Sequence, residues 1–358
     1  MATLTEEMNE RALALGVPLG VQFDLTYRCN ERCVHCYVDH DDHGEMTAAE
    51  IRDVLHQLAD AGTLFLTFSG GEVLMRVDFF EILEYARSLL FCVKIKTNAF
   101  MIREKEADRM QDLGVNSVQV SIYSHRPEVH DTITKLPGSL KRSIEGIRLL
   151  RSRGIKVIVA NILMRGNLND YAGVKALAQD LGVQWTIDPT ITPKMDGDSS
   201  VVRLGLGGSE LQQVFRDPGL VGNVEEFCAP PPGLDDNVLD GLPCSASHTF
   251  CYISPCGDVY PCVQFPLLTG NVRKQTFLEI WQHSAQMNEV RSIRSRDLSV
   301  CSACAHLGAC TRCPGLAYVE GNMRGPSSLD CEKSFARTGI AAPNMSRCTP
   351  LVHSSPSS

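Results

Sequence analysis

Short apolar runs rich in β-branched residues alternate with amphipathic stretches from about residue 20 to residue 210, and this alternation constrains the fold more than any other feature. It is typical of βα units arranged around a parallel sheet. Because six such units are too few to close an eight-stranded barrel, we expect an α/β fold with a partial (β/α)6 barrel and a site at the carboxyl ends of its strands. The predicted strands are Val21–Thr26, Leu64–Phe68, Val93–Thr97, Ser117–Ile122, Lys156–Leu163 and Val183–Asp188.

The stretches between these runs carry the signals that begin and end helices. Thr47 and Glu50 have the spacing of a capping box, which predicts a helix from there to Ala61. Glycines stand where helices should end before the next strand, at Gly62, Gly114, Gly154 and Gly182.

The composition changes after the predicted barrel. A segment rich in Pro, Gly, Asp and Ser follows, with one short helix predicted near Glu210–Phe215, and then a cysteine-dense region with little periodicity. The predicted division is an N-terminal extension 1–19, the barrel 20–210, a linker 211–243, a cysteine-rich domain 244–335 and a disordered tail 336–358.

Composition and charge exclude several classes of protein. The chain has 358 residues, of which 44% are hydrophobic and 21% charged, so it can bury sizeable cores and is not intrinsically disordered. Its apolar runs are too short to span a membrane, and its N-terminus lacks the pattern of a signal peptide, so we expect a cytoplasmic protein. Because 34 Lys and Arg face 42 Asp and Glu, the net charge is −8, which disfavours a nucleic-acid partner.

Cysteine is the outlier, since the chain has 15 and most of them fall in two groups. In a reducing cytoplasm this density indicates metal ligation rather than disulfides. The first group, Cys29, Cys33 and Cys36, follows the first predicted strand as C-x3-C-x2-C. Three thiolates can hold three irons of a [4Fe–4S] cluster and leave the fourth iron open for chemistry. The alternative is a structural zinc site with His35 as the fourth ligand.

This motif resembles the signature of the radical SAM superfamily, in which a ring-bearing residue, here His35, precedes the last cysteine. Ser69-Gly70-Gly71-Glu72 follows the second predicted strand and resembles the family's glycine–glycine–glutamate turn, which receives the amino group of S-adenosylmethionine. Two glycines let a backbone approach a ligand closely, and a carboxylate suits an ammonium group. The resemblance implies that Gly70, Gly71 and Glu72 bind this cofactor.

Further strand ends carry residues similar to the family's cofactor site. Thr97-Asn98-Ala99 is similar to the usual Thr-Asn-Gly, with Ala in place of Gly. Ser121 and Tyr123 stand where relatives contact the ribose, although Tyr123 replaces the usual Asp. The segment 161–164 resembles the one that lies along the adenine. The resemblance therefore implies further cofactor contacts from Asn98, Ser121, Tyr123 and Met164.

The resemblance also implies the chemistry. An electron from the cluster cleaves S-adenosylmethionine reductively, and the resulting 5′-deoxyadenosyl radical abstracts a hydrogen from the substrate. A reductant such as flavodoxin or ferredoxin would supply the electron. We expect protein groups mainly to orient and shield the radical, and we assign no catalytic acid or base from the sequence.

The second group of cysteines lies within residues 244–331. Its spacing is C-x12-G-x4-C, a gap, C-x2-C-x5-C-x2-C, a gap and a final C. It resembles the SPASM extension of radical SAM enzymes. In that pattern three residues separate the last two cysteines of the middle group, whereas two residues separate Cys310 and Cys313 here. The resemblance implies two auxiliary [4Fe–4S] clusters, with Cys244, Cys251, Cys262 and Cys313 as ligands of the first and Cys301, Cys304, Cys310 and Cys331 as ligands of the second.

Two alternatives stay open in this region. Cys256 competes with Cys251 as a ligand of the first auxiliary cluster, and Cys251 is preferred because its offset from Cys244 is closer to that of relatives. Eight cysteines could also hold two Zn(Cys)4 sites, because spacing alone does not separate structural zinc from iron–sulfur ligation.

The chain is identified as a member of the radical SAM/SPASM enzymes, and it is similar to the peptide- and protein-modifying branch that includes the pyrroloquinoline quinone synthesis enzyme and anaerobic sulfatase maturases. This implies a ribosomally made peptide as substrate. The alternatives are an enzyme acting on a small metabolite and a non-catalytic iron–sulfur or zinc scaffold. Because only about twenty residues precede the first strand, we expect a separate protein to bind any leader peptide.

Overall fold

The computed structural model describes residues 3–231 and 233–341, and six parallel strands form the central part of its sheet. Each of these strands pairs in parallel with the next one along the chain. The predicted α/β fold with a partial barrel is therefore confirmed. The strands are β1 (Gly20–Thr26), β2 (Phe65–Gly70), β3 (Cys92–Thr97), β4 (Ser117–Ser121), β5 (Lys156–Ile162) and β6 (Gln184–Asp188).

Helices follow most strands, as expected for βα units. They are α1 (Leu4–Leu15), α2 (Ala48–Asp60), α3 (Phe79–Ser88), α4 (Glu104–Asp112), α5 (Pro127–Thr134), α6 (Ser139–Ser152), α7 (Tyr171–Asp180), α8 (Gly208–Phe215), α9 (Pro218–Val221), α10 (Val224–Phe227), α11 (Asp236–Asp240), α12 (Phe277–His283), α13 (Ala285–Ser292), α14 (Pro314–Val319) and α15 (Ser328–Thr338). Short 3-10 helices occupy Val73–Met75, Arg165–Asp170, Ser200–Leu204, Ser295–Asp297, Cys301–Ala303 and Leu307–Ala309. Within the described ranges, no helix is long and apolar enough to cross a membrane.

Helix α2 begins at the predicted capping box. The Thr47 side chain accepts a hydrogen bond from the Glu50 backbone N–H, and the Glu50 carboxylate accepts one from the Thr47 N–H. The chain leaves this helix through Gly62, whose φ of 85° lies in the left-handed region. Local sequence signals therefore define both ends of the element.

Three further strands, which the sequence analysis did not predict, extend the sheet beyond β1. They are β7 (Phe250–Ile253), β8 (Asp258–Tyr260) and β9 (Gly270–Asn271). β7 pairs in parallel with β1, while β8 and β9 continue the sheet in antiparallel pairs. The order is β6-β5-β4-β3-β2-β1-β7-β8-β9. Each of these strands has four residues or fewer, so none carries a hydrophobic period long enough to predict it.

The chain forms two compact units. Among the described residues, one unit comprises 3–205 together with Ser245–Arg291, and the other comprises 206–231, 233–244 and 292–341. The cysteine-rich segment predicted as 244–335 thus contributes strands to the first unit and helices to the second. The predicted boundaries were based on the cysteine pattern and do not coincide with these compact units. As the limits of a cluster-binding domain they stay a prediction.

In the second unit, α8 packs against α15, and α8 contains the short helix predicted near Glu210–Phe215. Helix α15 continues to Thr338 and ends at Gly339, which has a φ of 74°. The first residues of the predicted tail are therefore helical, and residues 342–358 lie outside the described residues.

The strands of the first unit direct apolar side chains into one continuous core. On β3, Val93 and Ile95 are fully buried in this core, whereas the alternating Lys94 and Lys96 are only partly buried. Full burial of each such apolar side chain contributes about 1.5–3 kcal/mol. The alternation shows that one face of β3 packs in the core and the other face remains open to polar surroundings.

Candidate active site

A cavity of about 1620 Å³, part of it open to solvent, lies in the first unit at the carboxyl ends of the parallel strands. This is the location that the predicted barrel requires. Of the predicted site residues, those that line the cavity are Cys29, Cys33, Cys36, Gly70, Gly71, Asn98, Ser121 and Tyr123. The structure therefore brings together most of the residues that the resemblance implied, from four successive strand ends.

The loop that carries the three cysteines follows β1 and is fastened by backbone hydrogen bonds. The Arg32 N–H donates to the Thr134 carbonyl at 2.9 Å, and the Val34 N–H donates to the Ile133 carbonyl at 3.0 Å, so the loop is tied to the end of α5. The three thiols of this loop line the same cavity.

Burial dominates the acidity of these thiols. It raises the pKa of Cys29 to about 12 and that of Cys36 to about 11, and it raises the pKa of Cys33 further. Thiols of this kind stay protonated in the absence of iron. Ligation must therefore release protons, since thiolates are the ligands.

The glycine turn after β2 lies directly against the segment that leads into the cysteine loop. The Gly71 N–H donates to the Thr26 carbonyl at 2.7 Å. A Cβ at Gly70 would lie 2.2 Å from the Thr26 carbonyl oxygen, and one at Gly71 would lie 2.3 Å from that of Arg28. Both glycines are thus required by a close approach to the protein's own backbone, whereas the sequence suggested approach to a ligand.

Glu72 is fully buried and does not line the cavity. Its carboxylate accepts hydrogen bonds of 2.8 Å from the Thr97 hydroxyl and from the Asn98 N–H, and one of 3.2 Å from the Leu74 N–H. Burial raises the pKa of Glu72, and these hydrogen bonds oppose that rise. In this structure Glu72 joins the turn after β2 to the end of β3, and its contact with the cofactor amino group stays a prediction.

Asn98 connects the end of β3 to the cysteine loop. Its side-chain amide donates to the Asn30 Oδ1 at 2.8 Å and lies 3.8 Å from the Cys29 sulfur. The next residue, Ala99, has a φ of 60°, the left-handed region in which glycine is usual. Ala99 is fully buried and packs beside Gly146 of α6. A Cβ at Gly146 would lie 2.6 Å from the Ala99 carbonyl oxygen.

Three rings pack together beside the cysteine loop. His35 meets Tyr123 edge-on at 4.7 Å between centroids, and Tyr123 stacks on His130 at 5.5 Å. Burial lowers the pKa of both histidines to about 4, so both are neutral at pH 7. Across residues 3–231 and 233–341, no three Cys, His, Asp or Glu side chains gather into a single-ion site.

Met164 does not reach the cavity. It lies in a small apolar cluster with Ile133 and Ile191, where it is almost fully buried. Asn161, at the start of the same predicted segment, does line the cavity, and its amide donates to the Ile122 carbonyl at 2.9 Å. The segment therefore divides between the cavity and the core.

The cavity also contains buried polar atoms that have no hydrogen-bond partner in the described part of the chain. They are Glu31 Oε1, His35 Nδ1, His40 Nδ1 and Asn161 Oδ1. An unpaired buried polar atom costs about 1–3 kcal/mol. Such atoms, in a cavity with three thiols on one loop, fit a site that holds an iron–sulfur cluster and a polar cofactor.

Several residues that line this cavity were not predicted from the sequence, because none is a defining position of a motif. They are Glu31, Lys96, Gln119 and Gln264. For Lys96 a signal was present, because charged residues alternate with Val93 and Ile95 within one strand. Such alternation indicates that one strand face meets a polar interior.

In the second unit, four cysteines share a cavity of about 350 Å³. They are Cys301, Cys304, Cys310 and Cys331. This is the set proposed from the sequence for the second auxiliary cluster. The Ser334 hydroxyl lies 3.4 Å from the Cys310 sulfur.

The ligands predicted for the first auxiliary cluster are distributed between the two units. Cys251 on β7 is fully buried in the apolar core of the first unit. Cys262 belongs to the same unit. Cys256 is partly exposed, and its thiol donates to the His43 carbonyl at 3.5 Å. Cys244 and Cys313 belong to the second unit. The choice of Cys251 over Cys256 stays a prediction.

Two family profiles match the chain. The profile of the radical SAM superfamily matches residues 23–177, and the SPASM profile, that of an iron–sulfur cluster-binding domain, matches residues 244–306. Together they cover more than half of the chain.

Characterised proteins are similar over most of the chain. It is 27% identical over 324 residues to the AdoMet-dependent heme synthase of Methanosarcina barkeri, covering 84% of this chain and 93% of that protein. It is 29% identical over 351 residues to the mycofactocin maturase MftC of Mycobacterium tuberculosis, covering 94% and 88%. It is 29% identical over 345 residues to the PqqA peptide cyclase of Xanthomonas campestris, covering 91% and 89%.

Solved structures share the fold. Streptococcus suis SuiB bound to the precursor peptide SuiA has a TM-score of 0.72 at 16% identity, covering 91% of this chain and 80% of that one. anSMEcpe with bound AdoMet has a TM-score of 0.66 at 16% identity, covering 92% and 94%. The cofactors of the family are a [4Fe–4S] cluster and S-adenosylmethionine, and the SPASM region implies further iron–sulfur clusters. The chain belongs to the radical SAM superfamily and is a radical SAM enzyme with a SPASM domain.

Proposed function

We propose that this enzyme modifies a ribosomally made peptide. The observation that carries the proposal is the similarity over more than nine-tenths of the chain to a maturase and to a peptide cyclase. The shape of the cavity supports it. The cavity is partly open to solvent and is bordered by residues of all six parallel strands, so a segment of a larger molecule can enter it.

The proposed cofactor set is one [4Fe–4S] cluster on Cys29, Cys33 and Cys36, two auxiliary clusters on the SPASM cysteines, and S-adenosylmethionine. When bound, the first cluster and S-adenosylmethionine supply a radical that abstracts hydrogen from the substrate. The proposed SPASM ligands are those inferred from the sequence. Cys251 is the proposed fourth ligand of the first auxiliary cluster, and Cys256 is the alternative.

The residues of this chain hold and shield that chemistry. Asn98 fixes the end of β3 against the cysteine loop through Asn30, and Glu72 holds the glycine turn to the same strand end. Tyr123 packs edge-on against His35 and so holds this ring beside the loop. We propose that Gly70, Gly71, Asn98, Ser121 and Tyr123 contact the cofactor directly. Glu72 positions the glycine turn and receives the cofactor amino group, and Met164 supports the site from the core.

A second candidate function is a reaction on a small metabolite. The similarity to the AdoMet-dependent heme synthase over 84% of the chain favours it. Both functions use the same hydrogen abstraction, so only the substrate separates them.

Two partners and a compartment belong to the same proposal. The clusters need an electron donor of the flavodoxin or ferredoxin class, and for a peptide substrate we propose a separate protein that binds its leader. Because free thiols in this number require a reducing compartment, we propose the cytoplasm.

The test uses anaerobically purified and reconstituted enzyme with S-adenosylmethionine and a strong reductant. We expect about twelve iron per chain and formation of 5′-deoxyadenosine. A short peptide encoded beside the gene and a porphyrin-type heme precursor are then compared as substrates, with products identified by mass spectrometry. Modification of the precursor but not of the peptide would contradict the peptide assignment. Zinc in place of iron, without cleavage, would contradict radical chemistry altogether.

A further inference from the structure

One cation borders the cavity without an assigned role. Lys96 lies on the open face of β3, and its neighbours along the cavity wall include Gln22 of β1 and Gln119 of β4. Its backbone neighbours Ile95 and Thr97 are buried, so the strand itself is fixed. The ammonium group is therefore presented to the cavity by a rigid element rather than by a mobile loop.

Lys96 has a single neutral partner. Its Nζ donates to the Gln22 Oε1 at 2.9 Å, and in the described part of the chain no carboxylate lies close enough to form an ion pair with it. An ammonium group has three protons to donate. Two of them therefore have no acceptor among residues 3–231 and 233–341.

A buried carboxylate that bonds the same Gln22 is already satisfied by neutral donors. Asp24 accepts hydrogen bonds from the Tyr37 hydroxyl at 2.8 Å, from the Tyr252 hydroxyl at 3.0 Å and from the Gln22 amide at 3.2 Å. Asp188, which also borders the cavity, accepts a bond from the Thr190 N–H at 2.8 Å. Neither carboxylate contacts Lys96.

A partly buried ammonium with one amide acceptor is costly to the fold. Burial lowers the pKa of Lys96, which expresses this cost, while the charge of Asp24 opposes the shift. An anion that enters the cavity would replace the lost hydration and accept the two remaining protons. A carboxylate is the matching group, because hydrogen bonds between two charged partners are the strong ones.

The position of Lys96 relates it to the cysteine loop. Lys96 stands two residues before Asn98, whose amide lies 3.8 Å from the Cys29 sulfur. At about 3.3 Å per residue, the Lys96 backbone lies roughly 7 Å further into the barrel than that of Asn98. A molecule bound at Lys96 therefore shares one cavity with the proposed cluster.

We propose that Lys96 binds a carboxylate of the substrate and so selects anionic substrates for this enzyme. The inference rests on the proposed function and adds the chemical class of the group that the cavity recognises. In a peptide, that carboxylate comes either from the C-terminus or from an acidic side chain.

The test measures binding of three short peptides to the reconstituted holoenzyme with S-adenosylmethionine, by anaerobic calorimetry. The probes are N-acetyl-triglycine, its C-terminal amide, and N-acetyl-Gly-Glu-Gly amide. We expect at least one of the two carboxylate-bearing probes to bind about tenfold more tightly than the neutral amide. Tighter binding of the first indicates a C-terminal carboxylate, and tighter binding of the third indicates an acidic side chain.

Variants assign the effect to Lys96. Lys96→Met should abolish the preference and Lys96→Arg should retain it. Lys94→Met is the matched control, because Lys94 lies on the same strand face but does not border the cavity. Equal binding of all three probes to the wild type, or a preference that survives in Lys96→Met, would overturn the inference. Lys96→Gln replaces Lys96→Met if the latter fails to retain iron.

This outcome is separable from that of the proposed function. Formation of 5′-deoxyadenosine by wild-type enzyme without any preference among the probes contradicts the role of Lys96 alone. A carboxylate preference without 5′-deoxyadenosine contradicts the radical reaction and leaves the anion site standing.

Discussion

The two cysteine-lined cavities differ in size, in the number of thiols and in the elements that support them. In the first unit, three cysteines on one loop border a cavity of about 1620 Å³ beside a parallel sheet. In the second unit, four cysteines on short 3-10 turns and on α15 border a cavity of about 350 Å³. Four protein thiols complete the ligand set of a cluster, whereas three leave one iron open. The difference fits our proposal that an open cluster and the substrate share the first cavity and that a closed cluster occupies the second.

The largest effect that could break this comparison comes from removing the three thiols of the first cavity. Replacing Cys29, Cys33 and Cys36 together by Ala should abolish formation of 5′-deoxyadenosine and leave about eight iron per chain, because we assign other cysteines to the two proposed auxiliary clusters. Iron analysis and chromatography of the nucleoside products measure both. Cleavage that persists in this variant would show that the open cluster lies elsewhere.

The matching change in the second cavity should have a different outcome. Cys331→Ala removes one of the four thiols there, and we expect a loss of about four iron per chain. Formation of 5′-deoxyadenosine without substrate should fall far less than in the triple variant. If the iron content stays at that of the wild type, these four cysteines do not hold one cluster together.

A smaller effect tests the support of the first cavity. Gly71→Ala places a methyl group 2.3 Å from the Arg28 carbonyl oxygen, so it should lower the free energy of unfolding by about 1–3 kcal/mol. Anaerobic chemical denaturation measures this. The control is Gly166→Ala, since no atom lies within 4 Å of a Cβ at Gly166, and its effect should stay within about 0.5 kcal/mol. Equal effects of the two substitutions would exclude the proposed backbone contact.

The smallest effect concerns the attachment of the segment after β9 to α2. The Arg273 guanidinium donates to the Glu50 carboxylate at 2.8 and 3.0 Å and, together with the Thr47 N–H, lowers the pKa of Glu50 to about 2 from 4.5. Because the folded-state pKa is lowered, ionised Glu50 stabilises the fold above about pH 4.5, and this contribution is lost as the pH falls toward 2.

Glu50→Gln should therefore lower the free energy of unfolding by up to about 1 kcal/mol at pH 7, since the pair is partly exposed, and the difference should shrink below about pH 4.5. Denaturation of wild type and variant between pH 7 and 3 measures it. Glu81→Gln is the control, because Glu81 forms a more exposed pair with Arg52 at 3.3 Å. A difference that grows in acid would contradict the sign of this linkage.

The repeated βα units could be predicted because their signals are local. The strand predicted at Lys156–Leu163 is observed at Lys156–Ile162, and the capping box at Thr47 begins a helix as expected. β7 could not be predicted in the same way. Its four residues become a strand only because they pair with β1, where Gly20 lies beside Phe250. Such a pairing depends on how distant segments meet, which no local pattern records.

The candidate site divides in the same manner. The cysteine spacing and the Gly-Gly-Glu turn indicated their place at the strand ends, and the cavity contains the three cysteines and both glycines. The sequence predicts that Glu72 contacts the cofactor, but it does not show that the Glu72 carboxylate bonds Thr97 and Asn98 and is buried. These partners come from a different strand, so no local pattern predicts them. The proposed role of Lys96 likewise could not be predicted from the sequence. It depends on the finding that the ammonium group bonds only Gln22 among the described residues.

The sequence by itself determined the six parallel strands, the loop of three thiols and the family, because strand period, helix caps and ligand spacing are properties of single segments. Only the tertiary structure decided which polar atoms face the cavity, why Gly70 and Gly71 must be glycine, and that part of the cysteine-rich segment extends the sheet. These features depend on burial and on pairing between segments distant in the chain. Their free energies arise only when the chain is folded.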